Sequence, residues 1–184
     1  AKTASKARAN RYIGLIRRVL RKAVYEWEWL DKMPSIRMYR ESGGRVRSLS
    51  QDDFWRLHRE LPPHLADMAL FSVATGLRQS NVKGLRWEQV NLGLRHAWVK
   101  ADEHKNGEAH AVPLNDIAMA VLVKRHGAHS SHVFTYEGKP ITQVSTKAWR
   151  NALERAGISD FRWHDLRHTF ATWHRQAGTP THEL

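Results

Sequence analysis

The sequence contains no cysteine, which excludes disulfide bonds and thiolate metal sites and is compatible with a reducing cytoplasm. It also lacks any apolar run near the roughly 18 residues that a membrane span requires, and its N-terminus has no apolar signal core. The glycines do not form a phosphate-cradling glycine-rich loop, so a nucleoside triphosphate site has no support. These absences predict a soluble protein of the cytoplasm.

Acidic residues are scarce as well. The chain has 30 Lys and Arg against 18 Asp and Glu, which gives a formal net charge of +12 and a pI near 10.5. Such an excess of positive charge predicts affinity for a polyanion, nucleic acid first, with a basic soluble protein lacking such a partner as the alternative. The 184 residues, 41% of them hydrophobic, suffice for one domain with a core, or for one domain plus a fragment of another.

The stretch from about Ser5 to Leu30 has the pattern of one long amphipathic helix. Basic residues fill the positions between the apolar residues that recur at helical spacing, namely Ile13, Ile16, Leu20, Val24 and Trp27. This apolar stripe has no helical partner adjacent in the sequence. It either packs on the later domain or, as we favour, belongs to the terminal helix of a separate helical domain, residues 1–31. The basic face is turned either to solvent or to DNA.

Residues 32–47 contain a proline, two adjacent glycines and little periodicity, which is typical of a linker. The segment is also basic. Its arginines are predicted to follow a phosphate backbone, and the DNA-contacting candidates are Arg40, Arg45 and Arg47. A plain solvated linker is the alternative interpretation.

A second domain, residues 48–184, is predicted from a clear helix start at its beginning. Ser50 is expected to be the N-cap, with Leu49 able to pack on Phe54. The run from Leu65 to Thr75 is apolar nearly all round, which indicates a buried helix that Gly76 closes.

Arg78 follows that glycine in a tight corner, where Ser80 is expected to cap a short helix ending near Leu85. From such a corner Arg78 could project toward a ligand. The alternative is a structural role, in which Arg78 caps the carbonyls of the preceding helix.

The remaining pattern of this domain predicts a hairpin, one more strand and several helices. Strands at His96–Ala101 and Ala109–Pro113 flank an Asn106-Gly107 turn, which places Lys105 beside the tip. A further strand is expected at His132–Tyr136, and the helices at Asn115–Arg125, Val144–Ala156 and Asp165–Gln176. The fold class is therefore mainly α with a small antiparallel β-sheet (α+β).

His164 and Arg167 stand one helical turn apart at the start of the last of these helices, so both side chains can address one ligand. An anion is favoured, because a helix N-terminus presents unpaired N–H groups and arginine adds two parallel donors that fit a phosphate. His164 and His168 also have the spacing of a zinc helix. We reject that interpretation, because Arg167 would oppose the metal's charge and no third ligand is evident.

Two longer motifs join these cations. The first is Ala74-Thr75-Gly76-Leu77-Arg78-Gln79-Ser80-Asn81-Val82-Lys83-Gly84-Leu85-Arg86-Trp87, and the second is His164-Asp165-Leu166-Arg167-His168-Thr169-Phe170-Ala171-Thr172. Between them lies Lys105, followed by Val112-Pro113-Leu114. In this order and separation the motifs closely resemble those of the tyrosine recombinase, or phage integrase, family over residues 48–184.

The resemblance implies the family's catalytic-domain fold and a mechanism of DNA breakage and rejoining through a 3′-phosphotyrosine, without metal or other cofactor. Arg78 and Arg167 would clamp the scissile phosphate, Lys105 would protonate the departing 5′ oxygen, and His164 would support acid–base transfer. Lys83 is expected to join the linker arginines in binding DNA. The implied partners are double-stranded DNA with paired recombination sites and a homotetramer.

The sequence departs from the family pattern in two places. Asn81 stands where the family usually has an acid, which weakens any expectation of a carboxylate orienting Arg78. None of the tyrosines has the context of the nucleophile, which is therefore expected beyond Leu184; they are Tyr12, Tyr25, Tyr39 and Tyr136. The chain is then a truncated catalytic domain that binds DNA weakly and does not cleave it alone. The alternatives are a non-catalytic DNA-binding regulator on the same fold and a metal-independent nuclease or RNA-binding protein.

Overall fold

The computed structural model describes residues 5–41, 46–100 and 109–180. Its contacts divide the chain into two compact units, residues 1–45 and 46–184. Helices predominate, and two small antiparallel sheets accompany them in the second unit. The predicted class, mainly α with a small antiparallel sheet, is confirmed. In the described ranges no helix combines the length and hydropathy needed to cross a membrane.

The first unit is built on helix α1, Lys6–Tyr25. Ser5 caps it, because the Ser5 hydroxyl accepts from the Arg8 N–H at 3.3 Å. The helix ends five residues before the predicted Leu30. Glu28 adopts a positive φ of 52°, and the chain reverses so that the N–H groups of Trp29 and Leu30 donate to the Ala23 carbonyl.

The apolar stripe predicted for α1 is only partly covered. Ile13, Leu20 and Val24 are half-buried, but Ile16 is 50% exposed and Trp27 lies beyond the end of the helix. The prediction was wrong for Trp27, because the helix ends at Tyr25 and the chain reverses at Glu28.

The second unit begins with helices α2, Gln51–Glu60, and α3, Pro63–Thr75. Ser50 is the N-cap of α2, as predicted, and its hydroxyl accepts from the Asp53 N–H at 3.1 Å. Nearly every residue of α3 is buried, which matches its uniformly apolar sequence and places it at the centre of the core.

Gly76 ends α3 with a left-handed φ of 63°. An added Cβ at this position would overlap the ring of Phe170, which belongs to a helix far along the chain. Both observations require glycine, since other residues are strained at such a φ and a side chain would displace the ring. This glycine therefore brings the corner after α3 close to the last helix.

Helix α4 spans Gln79–Gly84, and its N-cap is Arg78. The prediction that Ser80 caps this helix was wrong. Arg78 has the extended backbone of a cap residue (φ −64°, ψ 148°), whereas Ser80 lies inside the helix and its hydroxyl bonds to Asn81 Oδ1 at 3.2 Å.

A short 3-10 turn, Trp87–Gln89, leads into a three-stranded antiparallel sheet in the order β1-β2-β3. Its strands are β1, Val90–Asn91, β2, His96–Val99, and β3, His110–Pro113. The pairing of β2 with β3 confirms the predicted hairpin strands, and the register sets Ala97 opposite Val112. The Asn106-Gly107 turn and Lys105 lie outside the described residues.

A second, two-stranded sheet pairs β4, Thr135–Tyr136, with β5, Lys139–Pro140. The strand predicted at His132–Tyr136 is thus shorter than expected. His132 contributes only an isolated bridge to Arg86.

Three further helices complete the unit: α5, Asp116–Arg125, α6, Lys147–Arg155, and α7, Asp165–Gln176. The predicted bounds of α7 are confirmed, and α6 begins three residues later than expected because Thr146 is its N-cap. Helix α3 packs against both α5 and α7, while α2 packs against α6. The carboxylate of Asp67, buried on α3, receives Lys124 Nζ at 2.6 Å and Arg125 Nε at 3.0 Å from α5.

Candidate functional site

A cavity of about 600 Å³ opens where α3, the corner before α4, strands β2 and β3, the start of α5 and helix α7 meet. Arg78 and Arg167 both line it, although 89 positions separate them in the sequence. Apolar residues of the sheet and of the α3 terminus form the remaining wall, including Val99, Val112 and Leu77. We call this cavity the arginine pocket.

Arg78 reaches the pocket because the left-handed Gly76 and the buried Leu77 fix the backbone immediately before it. Within the described ranges its guanidinium donates to no protein acceptor, so nothing there supports the alternative in which Arg78 caps the carbonyls of α3. Asn81, one turn further along α4, is 5% exposed and also lines the pocket. The corner thus presents a guanidinium whose donors are available to a ligand.

Arg167 comes from the first turn of α7 and is half-buried. Its guanidinium donates to the carbonyl of Gly76, so the same glycine shapes one arginine's backbone and receives the other arginine's side chain. Burial and, next, the positive charge of Arg78 lower the pKa of Arg167. Two cations close enough to repel at a half-buried site favour an anion between them.

The start of α7 is fastened by buried polar contacts. Asp165, 4% exposed, accepts from the Arg162 N–H at 2.7 Å, and the Thr169 hydroxyl donates to the Asp165 carbonyl at 2.9 Å. The Thr169 hydroxyl also accepts from the Leu49 N–H at 3.2 Å, and Trp173 Nε1 donates to the Leu49 carbonyl at 2.9 Å. These bonds fix α7 against the segment before α2 and so keep Arg167 at the wall of the pocket.

His164 is the N-cap residue of α7, but its backbone is helical and its side chain makes no cap hydrogen bond. It is exposed and is not among the residues that line the arginine pocket. Its ring meets His168 edge-on, with centroids 5.4 Å apart. The structure therefore brings Arg78 and Arg167 together but does not bring His164 into the same cavity.

No metal-binding group of three or more His, Asp or Glu side chains occurs in the part of the chain that the structure describes. His164 and His168 accordingly have no third partner of these types among those residues.

The other predicted site residues are Lys105, Arg45, Lys83, Arg40 and Arg47. Lys105 and Arg45 fall outside the described residues. Lys83 donates from Nζ to the Thr142 carbonyl at 2.7 Å, which ties α4 to the segment before α6. Arg40 is exposed in the first unit, and Arg47, exposed in the second, donates to the Ser159 carbonyl at 3.4 Å.

Sequence reasoning missed His174 and Phe170, which also line the pocket. Their rings are 4.2 Å apart, and His174 Nδ1 lies 3.3 Å from the Thr179 hydroxyl. A signal was available, since Arg167, Phe170 and His174 are spaced i, i+3 and i+7 and therefore share one face of α7.

Asn115 was predicted only as the beginning of a helix, yet it joins the pocket wall to the core. Its Oδ1 accepts from the Ala118 N–H at 2.9 Å as the cap of α5, and its Nδ2 donates to the Ala74 carbonyl at 3.1 Å. One amide thus fixes the start of α5 against the end of α3, beside the two arginines.

Comparisons with known proteins identify relatives of this chain. The model of the phage integrase family matches residues 48–184. The integrase of Salmonella phage P22 is 38% identical over a 192-residue alignment that covers 97% of this chain and 50% of that protein. A shufflon-specific DNA recombinase of Escherichia coli is 35% identical over 140 residues, covering 72% of this chain and 34% of that protein. The chain thus spans half or less of these relatives' length.

Among solved structures, a lambda integrase dimer bound to a COC′ core site matches with a TM-score of 0.74 and 19% identity, covering 94% of this chain and 65% of that one. At such identity the match establishes the fold, which is the predicted tyrosine recombinase catalytic-domain fold. Because the family model covers the whole of the second unit from residue 48, including both arginines of the pocket, the chain belongs to the phage integrase family.

Proposed function

We propose that this chain is the phosphate-holding part of a tyrosine-type site-specific DNA recombinase. The observation that carries the proposal is the arginine pocket, in which Arg78 and Arg167 converge from distant parts of the sequence. Membership of the phage integrase family and the likeness to an integrase bound to a core site support double-stranded DNA as the substrate.

The pocket suits the chemistry of phosphodiester attack. In the transition state negative charge gathers on the non-bridging oxygens, and guanidinium groups meet two oxygens at once. Arg167 is held by the Gly76 carbonyl, which leaves its other N–H groups for the phosphate. Since the donors are fixed before the substrate arrives, little reorganisation is needed during the reaction.

The remaining steps follow the family resemblance. A tyrosine hydroxyl attacks the phosphorus and forms a 3′-phosphotyrosine, while the bond to the 5′ oxygen breaks and Lys105 gives that oxygen its proton. The reverse attack by a 5′ hydroxyl rejoins a strand without ATP, because the covalent intermediate conserves the bond energy. His164 assists proton transfer, and Arg40, Arg45, Arg47 and Lys83 grip the DNA backbone.

The nucleophile is proposed to come from outside these 184 residues. Tyr12, Tyr25 and Tyr39 belong to the first unit, and Tyr136 packs on His64 with ring centroids 4.1 Å apart. No tyrosine lines the arginine pocket among the described residues. The full-length protein would then act on paired sites as a homotetramer in the bacterial cytoplasm.

A suicide duplex, nicked so that cleavage traps the enzyme, tests this proposal. The 184-residue chain is expected to shift the duplex at low salt and to form no covalent adduct, whereas the full-length parent forms one. In that parent, Arg167→Ala should abolish the adduct while duplex binding changes little, because one phosphate contact among many is lost.

Arg56→Ala is the matched control, since Arg56 pairs with Asp53 on the surface of α2, away from the pocket. An adduct formed by the 184-residue chain would overturn the proposed origin of the nucleophile. Equal loss of binding and cleavage in Arg167→Ala would overturn the role of the pocket. A parent that binds duplex DNA and never forms an adduct would instead identify a non-catalytic regulator.

A further inference from the structure

Asn10 is a buried polar residue, 4% exposed, in the N-terminal part of the otherwise largely exposed helix α1. Its carboxamide makes three hydrogen bonds to the segment that follows the helix. Oδ1 accepts from the Tyr39 N–H at 2.8 Å, and Nδ2 donates to the Tyr39 carbonyl at 2.8 Å and to Glu41 Oε1 at 2.6 Å. One side chain thus holds both backbone groups of Tyr39 together with the carboxylate two residues later.

A second attachment lies near the other end of the helix. The Ala23 carbonyl accepts from the N–H groups of Trp29, at 2.8 Å, and Leu30, at 3.3 Å. Asn10 and Ala23 are about 20 Å apart along a helix axis, and the nine peptide steps from Leu30 to Tyr39 can span at most about 32 Å. The segment therefore returns along α1 and is fastened at both ends of its path.

Arg40 stands between the two residues that Asn10 holds. Its side chain is exposed, and it forms no hydrogen bond or ion pair with any residue of the described ranges. The neighbouring carboxylate of Glu41 is engaged by Asn10 rather than by Arg40. The backbone before this arginine and the side chain after it are held, while its guanidinium remains open to an anion.

We propose that Asn10 is a positioning residue for DNA binding, which holds the Tyr39 backbone and the Glu41 side chain against α1 and so presents Arg40 to a phosphate. The inference rests on the proposed function, since it takes DNA as the ligand. Asn10 itself is uncharged and buried and does not touch DNA. Its contribution is to order the chain around Arg40 before binding, which removes part of the ordering cost at the moment of association.

Asn10→Ala in the 184-residue chain provides the direct test. Alanine raises the intrinsic helix propensity of α1, so a loosened segment is not confused with a melted helix. Amide exchange at Tyr39 should accelerate, because its N–H loses the Asn10 acceptor. Affinity for a mixed-sequence duplex at low salt should fall by about threefold, because Asn10 acts through Arg40 and the loss of one phosphate contact costs about that much.

A double-mutant cycle separates positioning from general loss of structure. Arg40→Ala should weaken duplex binding much less in the Asn10→Ala background than in the wild type, because an arginine that is not positioned contributes less to DNA affinity. Arg11→Ala is the matched control on the exposed face of α1, and it should change duplex affinity by the same factor in both backgrounds. Asn10→Leu, which is similar in size but can neither donate nor accept, is expected to behave like Asn10→Ala and carries the test should the alanine variant lose helix content.

Each outcome decides the matter. If the amide exchange rate of Tyr39 is unchanged in Asn10→Ala, Asn10 does not anchor the segment. If exchange accelerates but the losses of DNA affinity in the double-mutant cycle are additive, Asn10 does not position Arg40. In both cases duplex binding by the wild type is retained, so the proposed function stands. A wild-type chain that does not bind duplex DNA at low salt defeats the proposed function itself and the positioning role with it.

Discussion

The two sets of arginines in this protein are held in opposite ways. In the arginine pocket Arg167 is half-buried, donates to a backbone carbonyl and feels the charge of Arg78, which lowers its pKa. In the first unit Arg40 is exposed. Asn10 holds the residues before and after it, Tyr39 and Glu41, and not Arg40 itself. The pocket holds the guanidinium of Arg167 itself, whereas the first unit holds only the residues on either side of Arg40.

This difference matches two tasks. A transition state is stabilised by donors at fixed positions, so the groups that meet it must themselves be ordered. Binding to a DNA backbone sums many weak phosphate contacts, each of which tolerates some freedom. The pocket arginines should therefore be sensitive to small changes of shape, and the exposed arginines mainly to loss of charge.

The largest expected effect comes from changing shape without changing charge in the pocket. Arg167→Lys in the full-length parent keeps a cation but loses the planar fork that bonds two oxygens. Strand cleavage should fall by about 10²-fold or more, as when one donor to a developing oxyanion is removed. Single-turnover cleavage on a suicide duplex measures this, with Arg40→Lys as the control that should stay near wild type. Equal effects of the two changes would remove the distinction between the two sets.

Gly76→Ala tests the backbone that joins the two pocket arginines. A residue with a Cβ is strained at φ 63°, and that Cβ would overlap the Phe170 ring. The free energy of unfolding should fall by about 2–4 kcal/mol, which combines left-handed strain with displacement of a packed ring. Denaturant titration measures the change. Gly84→Ala is the matched control, because no atom lies within 4 Å of its added Cβ and its φ is not positive, so it should be close to neutral.

Arg47→Ala should act through charge alone. The side chain is exposed and makes only a long contact, 3.4 Å, to the Ser159 carbonyl. Loss of one phosphate contact should weaken duplex binding a few-fold and reduce the slope of log affinity against log salt by about one. Fluorescence anisotropy over a salt series measures the slope. Arg56→Ala should leave it unchanged, and a steep fall in cleavage without a change in slope would contradict the assignment of Arg47 to DNA binding.

The smallest expected effect is a pH dependence of stability that neither set of arginines explains. Burial lowers the pKa of His58, with Asp67 opposing and Lys124 adding to the decrease, and its Nε2 is buried with no hydrogen-bond partner among the described residues. Since the unfolded chain binds the proton more readily than the folded one, stability is full above a pH of about 6.5 and falls as the pH drops through that value. Comparing the urea midpoints of wild type and His58→Gln between neutral and mildly acidic pH should show a shallower decrease in the variant. The effect is small because the ring is partly exposed.

Much of the local structure could be predicted because local rules dominate there. Ser50 and Asn115 cap helices as their side chains suggest, the uniformly apolar run before Gly76 is the buried α3, and α7 has the predicted bounds. Prediction failed at two helix boundaries, where the backbone conformation of a single residue decided the outcome. The extended backbone of Arg78, not the Ser80 side chain, starts α4, and the reversal at Glu28 shortens α1.

The sequence by itself determined the family, the cap of α2 and the identity of the cations, because motif spacing, local capping and charge are properties of the chain. Only the tertiary structure decided which cations meet. It places Arg78 and Arg167 in one pocket with Phe170 and His174, and leaves His164 outside its wall. It also turned Asn10, an unremarked residue of a basic helix, into the anchor of Tyr39 and Glu41. Contacts between residues tens of positions apart depend on how helices pack, and no local pattern encodes them.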